Sequence, residues 1–259
     1  MSFTWVAALL AIALFVGMLI TFEVGRRIGI ARLARDPDGL TKGAGAAEGA
    51  VFALLGLLMA FTFSGAASRF DERRMLINQE ANAIGTAYLR IDLLPKDAQP
   101  PLREMFRRYL DIRATVYRSA GDQTAFKARL AQSFVLQGDI WKSAMAALRL
   151  PETSPQATML LVPALNEMID ITGTRETATA THPPNVIFLL LAVLSLVGAL
   201  LVGYATSANK DRSWLHQVTF ALITSLAIYV IVDLEYPRLG LIRVDAADQA
   251  LIDLRSSMR

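Results

Sequence analysis

GAVFALLGLLMAFTFSGAASRFDERR, residues 49–74, runs an uncharged apolar stretch (49–67) straight into a tract holding Arg69, Asp71, Glu72, Arg73 and Arg74. No Gly-Pro break separates the two. At about 1.5 Å per residue, some 20 helical residues cross the ~30 Å hydrocarbon layer of a bilayer. An Arg at mid-membrane costs about 2.5–3.5 kcal/mol on insertion scales, which puts the arginines at or beyond the interface. The helix is therefore expected to leave the membrane without stopping. Apolar positions continue through Met75, Leu76, Ile77, Ala81, Ile84 and Tyr88, and one helix over 45–90 would be roughly 70 Å long.

Three further runs, 5–22, 185–206 and 214–232, also lack Asp, Glu, Lys and Arg, and the chain of 259 residues is 54% hydrophobic. Soluble domains average about 45–50%. Four spans define an integral membrane protein whose partner is the lipid bilayer. The first run lacks a basic leader, exceeds a signal peptide's apolar core and is followed by GRRIG instead of a small-x-small cleavage site, so it is expected to stay as a span. The expected organisation is a first transmembrane pair (1–67), a helical soluble domain with linker (68–184), a second pair (185–232) and a C-terminal tail (233–259). Four spans put both termini on one side.

The soluble segment reads as helix. Leu102, Met105, Phe106, Tyr109, Ile112, Val116 and Tyr117 share one stripe of 101–119. Asp122 is a candidate N-cap for a helix through 149, and a third helix over 156–171 is interrupted by Pro163. The Thr-rich TGTRETATATHPP (172–184) reads as a linker. No strand-forming alternation is present, so the fold class is all-α. Orientation is not decided by charge: Arg26, Arg27, Arg32, Arg35, Lys42, Lys210 and Arg212 on one side nearly balance Arg69, Arg73, Arg74, Arg175, Arg238 and Arg243 on the other.

Catalytic chemistry finds no support. The two histidines, His182 and His216, stand apart near span ends. Metalloprotease, nucleophile-elbow and P-loop motifs are missing, and the absence of cysteine removes disulfides and thiolate metal sites. No cofactor and no metal are implied. A net charge of +3 is too small to argue for nucleic acid.

The second span holds the better lead. Gly49, Ala53, Gly56, Ala60, Ser64 and Ala67 recur at spacings of three and four, a stripe that lets helices approach closely. Leu54, Leu57 and Phe61 follow the same spacing on another face. In a homo-oligomer with this helix innermost they would form apolar rings that gate by dewetting. Arg69, Arg73 and Arg74 read either as snorkelling anchors or as a cationic ring at a pore mouth.

LLGLLMAFTFSGAASRFDERRMLINQEANAIGTAYLRIDLLP, followed after the last span by DLEYPRLGLIRVD, resembles the bestrophin-like family of membrane proteins. Its specific parts are EANAIGTAYLR (80–90), containing Glu80 and Asn82, and D-L-x-x-P-R-x-G (233–240), containing Asp233, Pro237, Arg238 and Gly240. The likeness covers 45–259. It is more distantly similar to bestrophin anion channels, and that resemblance implies a pentamer permeated by anions. It also implies a constriction at Ala53, Leu57 and Phe61, with Ala53 smaller than a neck residue should be. Arg69, Arg73 and Arg74 would supply the pore-mouth charge. Phe70 and Asp71 stand where those channels carry two tryptophans, and VDAADQALIDLRSSMR has no acidic calcium clasp. The implied topology places termini and helical domain in the cytoplasm, and the Ala- and Arg-rich composition points to a bacterial plasma membrane. Within the second motif, Pro237 would stop the helix, Gly240 would allow a turn, and Arg238 would pair with Glu80, Asp233 or Asp245. Two functions follow as expectations: a homo-oligomeric ion channel, or a non-conducting scaffold whose helical domain binds a partner protein.

Overall fold

The computed structural model describes residues 3–35, 44–119, 121–208 and 214–258. Eight helices are found among them: α1 (Phe3–Leu33), α2 (Ala44–Leu89), α3 (Gln99–Arg113), α4 (Gln123–Leu148), α5 (Pro155–Ala180), α6 (Asn185–Ala205), α7 (Trp214–Glu235) and α8 (Gln249–Ser257). Short 3-10 turns link several of them, and the described residues contain no strand. Four stretches, one through each of α1, α2, α6 and α7, are long and apolar enough to cross a membrane. Lys42, Lys210 and Arg212 of the charge count lie outside the described residues. The chain divides into two units, Met1–Ser68 with His182–Tyr236 and Arg69–Thr181 with Pro237–Arg259.

In the membrane unit α1 and α6 cross at backbone contact. A Cβ on Gly25 would overlap the Leu200 carbonyl, one on Gly203 the Phe22 carbonyl, and one on Gly29 the Ser207 side chain. Lipid tails are as apolar as leucine, so spans associate through close packing and not through escape from water. Glycine permits that packing here. Met18 and Phe22 of α1 cluster there with Ala199 of α6 and Ala221 of α7, and Leu55, Leu191 and Ile228 bring α2 against α6 and α7. Phe52 stands edge-on to Phe220 with ring centroids 5.6 Å apart.

The helical unit has a conventional apolar core. Ile77, Ile84 and Tyr88 from α2 meet Leu102 and Phe106 from α3, Ile140 from α4, and Leu161, Leu165 and Met168 from α5. The C-terminal tail joins it through Val244, Leu251 and Met258. Asp122 caps α4 as expected, its carboxylate accepting from the Thr124 and Ala125 amides at 3.0 and 3.1 Å. A polar knot locks three helices: the Gln137 amide donates to the Tyr109 hydroxyl and to Thr172 Oγ1, both at 2.8 Å.

Two expectations for the third helix of the domain fail together. Pro163 does not interrupt it, and 172–180 is not a linker: α5 runs unbroken from Pro155 to Ala180. Its threonine hydroxyls bond back to the preceding turn, Thr174 to the Asp170 carbonyl at 3.1 Å and Thr179 to the Arg175 carbonyl at 2.8 Å, which satisfies them without interrupting the helix. Thr172 and Arg175 are buried, so packing outweighs the weak propensity of the Thr-rich sequence.

Candidate functional site

Through the membrane unit α2 has two unlike sides. Leu55 and Ala66 are buried, and Phe52, Leu58, Met59 and Thr62 are half-buried. On the other side Ala53, Gly56, Ala60, Phe61 and Ser64 are exposed, Leu57 at 53% and Phe61 at 66%. With 3.6 residues per turn, the small-residue stripe and the Leu57–Phe61 row are neighbours on the same exposed half of the helix. Close helix approach was expected of that stripe, yet among the described residues its two glycines pack against nothing. A Cβ on Gly49 or Gly56 would find no atom within 4 Å. The crossing glycines of this unit are Gly25, Gly29 and Gly203, a role the spacing on α2 had suggested for its own stripe.

Past Ser68 the three arginines separate in role. Arg73 is buried, its Nε donating to the Ala178 carbonyl at 3.0 Å and its Nη2 to the Thr181 carbonyl at 2.8 Å. Those carbonyls end α5, where a cation also complements the negative end of the helix. Arg74 is exposed, 3.4 Å from Asp71 and with its guanidinium 5.9 Å from the Phe70 ring centroid. Arg69 is half-buried.

The family motifs lead elsewhere, into the helical unit. Glu80 is fully buried and held by two arginines: Arg113 Nε donates to its Oε1 at 2.5 Å and Arg175 Nη1 donates to its Oε2. Tyr117 lies among three guanidinium groups, with the Cζ atoms of Arg175, Arg238 and Arg113 at 4.4, 5.2 and 5.6 Å from its ring centroid. Arg238 pairs with Asp245 at 2.9 Å and grips both oxygens of Asp248. Of the three partners expected for Arg238, the contact is with Asp245, and the unforeseen Asp248 takes the larger share. Asn82 from the first motif is exposed.

Burial works against the charge of Arg238, but Asp248 and then Asp245 more than compensate, so its pKa is raised. Arg175 goes the other way. Burial first, then repulsion from Arg238, push it down to about 9, with Asp248 opposing. It keeps its proton at neutral pH.

The second motif ends the membrane unit. Asp233 and Glu235 are both fully buried. The His182 ring stacks on Tyr236 at 4.4 Å, and its Nδ1 lies 3.7 Å from Glu235 Oε2. Phe3 packs against the same tyrosine at 4.6 Å. Helix α7 stops at Glu235, Pro237 opens a turn, and the buried Gly240 sits in the bend that follows. Arg113, Tyr117, Arg175 and Asp248 were not among the residues the sequence singled out as a site. Arg113 carried a usable signal, since it falls four residues after Tyr109 on the buried stripe of α3.

A four-span membrane protein with an all-helical unit inserted between the second and third spans is thus the class that the fold defines. A family model for the Bestrophin-like domain matches residues 11–248, and the chain belongs to that family. Among solved structures, a bacterial bestrophin homologue from Klebsiella pneumoniae is similar at 15% identity and a TM-score of 0.68, covering 93% of this chain and 97% of that one. A single-substitution variant of that homologue is similar at 14% identity and 0.69, with 94% and 99% covered. At these identities the likeness is one of fold. Comparison with curated proteins gave no match.

Proposed function

We propose that the protein is a homo-oligomeric ion channel with α2 lining the pore. The supporting observation is the exposed side of α2: a small-residue surface suited to close approach, with open space at Gly49 and Gly56 among the described residues, beside Leu57 and Phe61. Copies arranged around an axis would bring Ala53, Leu57 and Phe61 into rings, an apolar constriction of the kind that gates by dewetting. An apolar groove between α2 and α7 is lined by Met59 and Ile223 among others. Neighbouring subunits would complete that packing.

Anion preference follows from the pore-mouth charge. Arg69 and Arg74 keep that role in the proposal, whereas Arg73 is committed to the end of α5. The resemblance to bestrophin channels supports a pentamer in a bacterial plasma membrane, with termini and helical domain cytoplasmic. Glu80, Arg113, Arg175, Arg238 and Asp248 act as internal bracing and have no catalytic part.

Purified protein in planar bilayers tests the reading. Anion currents are expected, and Phe61→Ala should raise conductance or alter rectification. Unchanged currents in that variant would remove the assigned constriction. A monomer by light scattering in detergent would favour a non-conducting scaffold.

A further inference from the structure

The cluster around Glu80 holds more positive charge than its carboxylates balance. Arg113 and Arg175 share the single carboxylate of Glu80, leaving one positive charge over. Arg238 is neutralised by Asp248, while Asp245 divides itself between Arg238 and the exposed Arg243. Donors are in surplus too. Nη1 and Nη2 of Arg113 and the hydroxyl of Tyr117 have no hydrogen-bond partner among the described residues. Arg113 is 1% exposed and Tyr117 5%. Leaving buried donors unmade costs about 1–3 kcal/mol each, more where the group is charged. A buried charge without its partner is among the most destabilising defects a fold can carry.

The Tyr117 ring does not settle the account. A guanidinium over an aromatic face gains about 0.5–2 kcal/mol, but the ring carries no net charge and three cations around it repel one another. Burial first, and repulsion from Arg238 second, lower the proton affinity of Arg175.

We infer that this interior binds one small monovalent inorganic anion of the halide class, held by the Nη groups of Arg113 and the hydroxyl of Tyr117. A single negative charge balances the surplus, and a dianion such as phosphate would reverse it. The site belongs to the helical unit, bracing α2, α3, α5 and the tail, and stands whether or not α2 lines a conduit. Stability of the helical unit then depends on the halide concentration around it.

The test uses full-length protein in detergent, melted while sodium bromide replaces sodium gluconate at constant ionic strength. The wild-type midpoint should rise with bromide and saturate. Tyr117→Phe keeps the ring and loses the hydroxyl, and should lose half or more of the bromide-dependent rise. Wild-type crystals grown in bromide should show an anomalous peak within hydrogen-bonding reach of Arg113. A midpoint indifferent to bromide, a rise undiminished in Tyr117→Phe, or an ordered water without anomalous signal at that position would each overturn the inference.

Discussion

At the α1–α6 crossing of the membrane unit, Gly25 and Gly203 set backbone against backbone. In the helical unit the helices meet around Glu80, Arg113, Arg175 and Arg238, where charged groups make the contact. The difference follows from the two solvents. Lipid offers no hydrophobic reward for joining two apolar helices, so shape decides and small residues mark the interface. Water rewards burial of Phe106, Leu165 and Met168, and that reward can carry ion pairs whose desolvation would otherwise be prohibitive. The contrast also isolates an anomaly. The exposed side of α2 is composed like the α1–α6 crossing, yet among the described residues nothing packs against its Gly49 and Gly56.

The largest effect expected is on the charged side of this comparison. Glu80→Ala leaves two buried guanidinium groups without their carboxylate and should cost about 3–5 kcal/mol, read as a lower denaturation midpoint for the helical signal. Gly203→Val drives a side chain into the Phe22 carbonyl and should cost about 1–3 kcal/mol or more, seen as loss of folded protein in detergent. Tyr109→Phe strips the Gln137 amide of one acceptor and should cost about 1–3 kcal/mol, measurable in the same melts. Gly56→Leu on α2 should be the mildest for the single subunit, because the space beside it is open. It should nonetheless shift the proposed oligomer toward smaller species in light scattering. If Gly203→Val were as harmless as Gly56→Leu, the distinction between a filled and an unfilled glycine face would fail.

Much of this architecture is legible in residues. Uncharged runs fix the four spans, and Asp122 marks a helix start with a carboxylate that caps as its position implies. Two things were hidden for physical reasons. The helicity of 172–180 depends on Thr172 and Arg175 being buried, a tertiary fact that outvotes a Thr-rich stretch. The glycines of α1 and α6 look no different in sequence from those of α2, because one chain's spacing does not reveal which stripe finds a partner. The buried cluster was half visible. Glu80 falls between Ile77 and Ile84 on the buried side of α2, as Arg113 follows Tyr109 on α3. A charged residue on each of two apolar stripes calls for a mate, and these two supply one another. Arg175 and Asp248 gave no such sign, one lying in the threonine tract and the other in the tail.

The central claim is that the exposed side of α2 surrounds a conduit. The chain contains no cysteine, so Phe61→Cys introduces a single thiol whose modification can be followed by current in planar bilayers. A charged thiol reagent should block that variant's currents irreversibly, while a cysteine at Leu9, on the exposed face of α1, should leave them intact. Currents through Phe61→Cys that ignore the reagent would contradict the account.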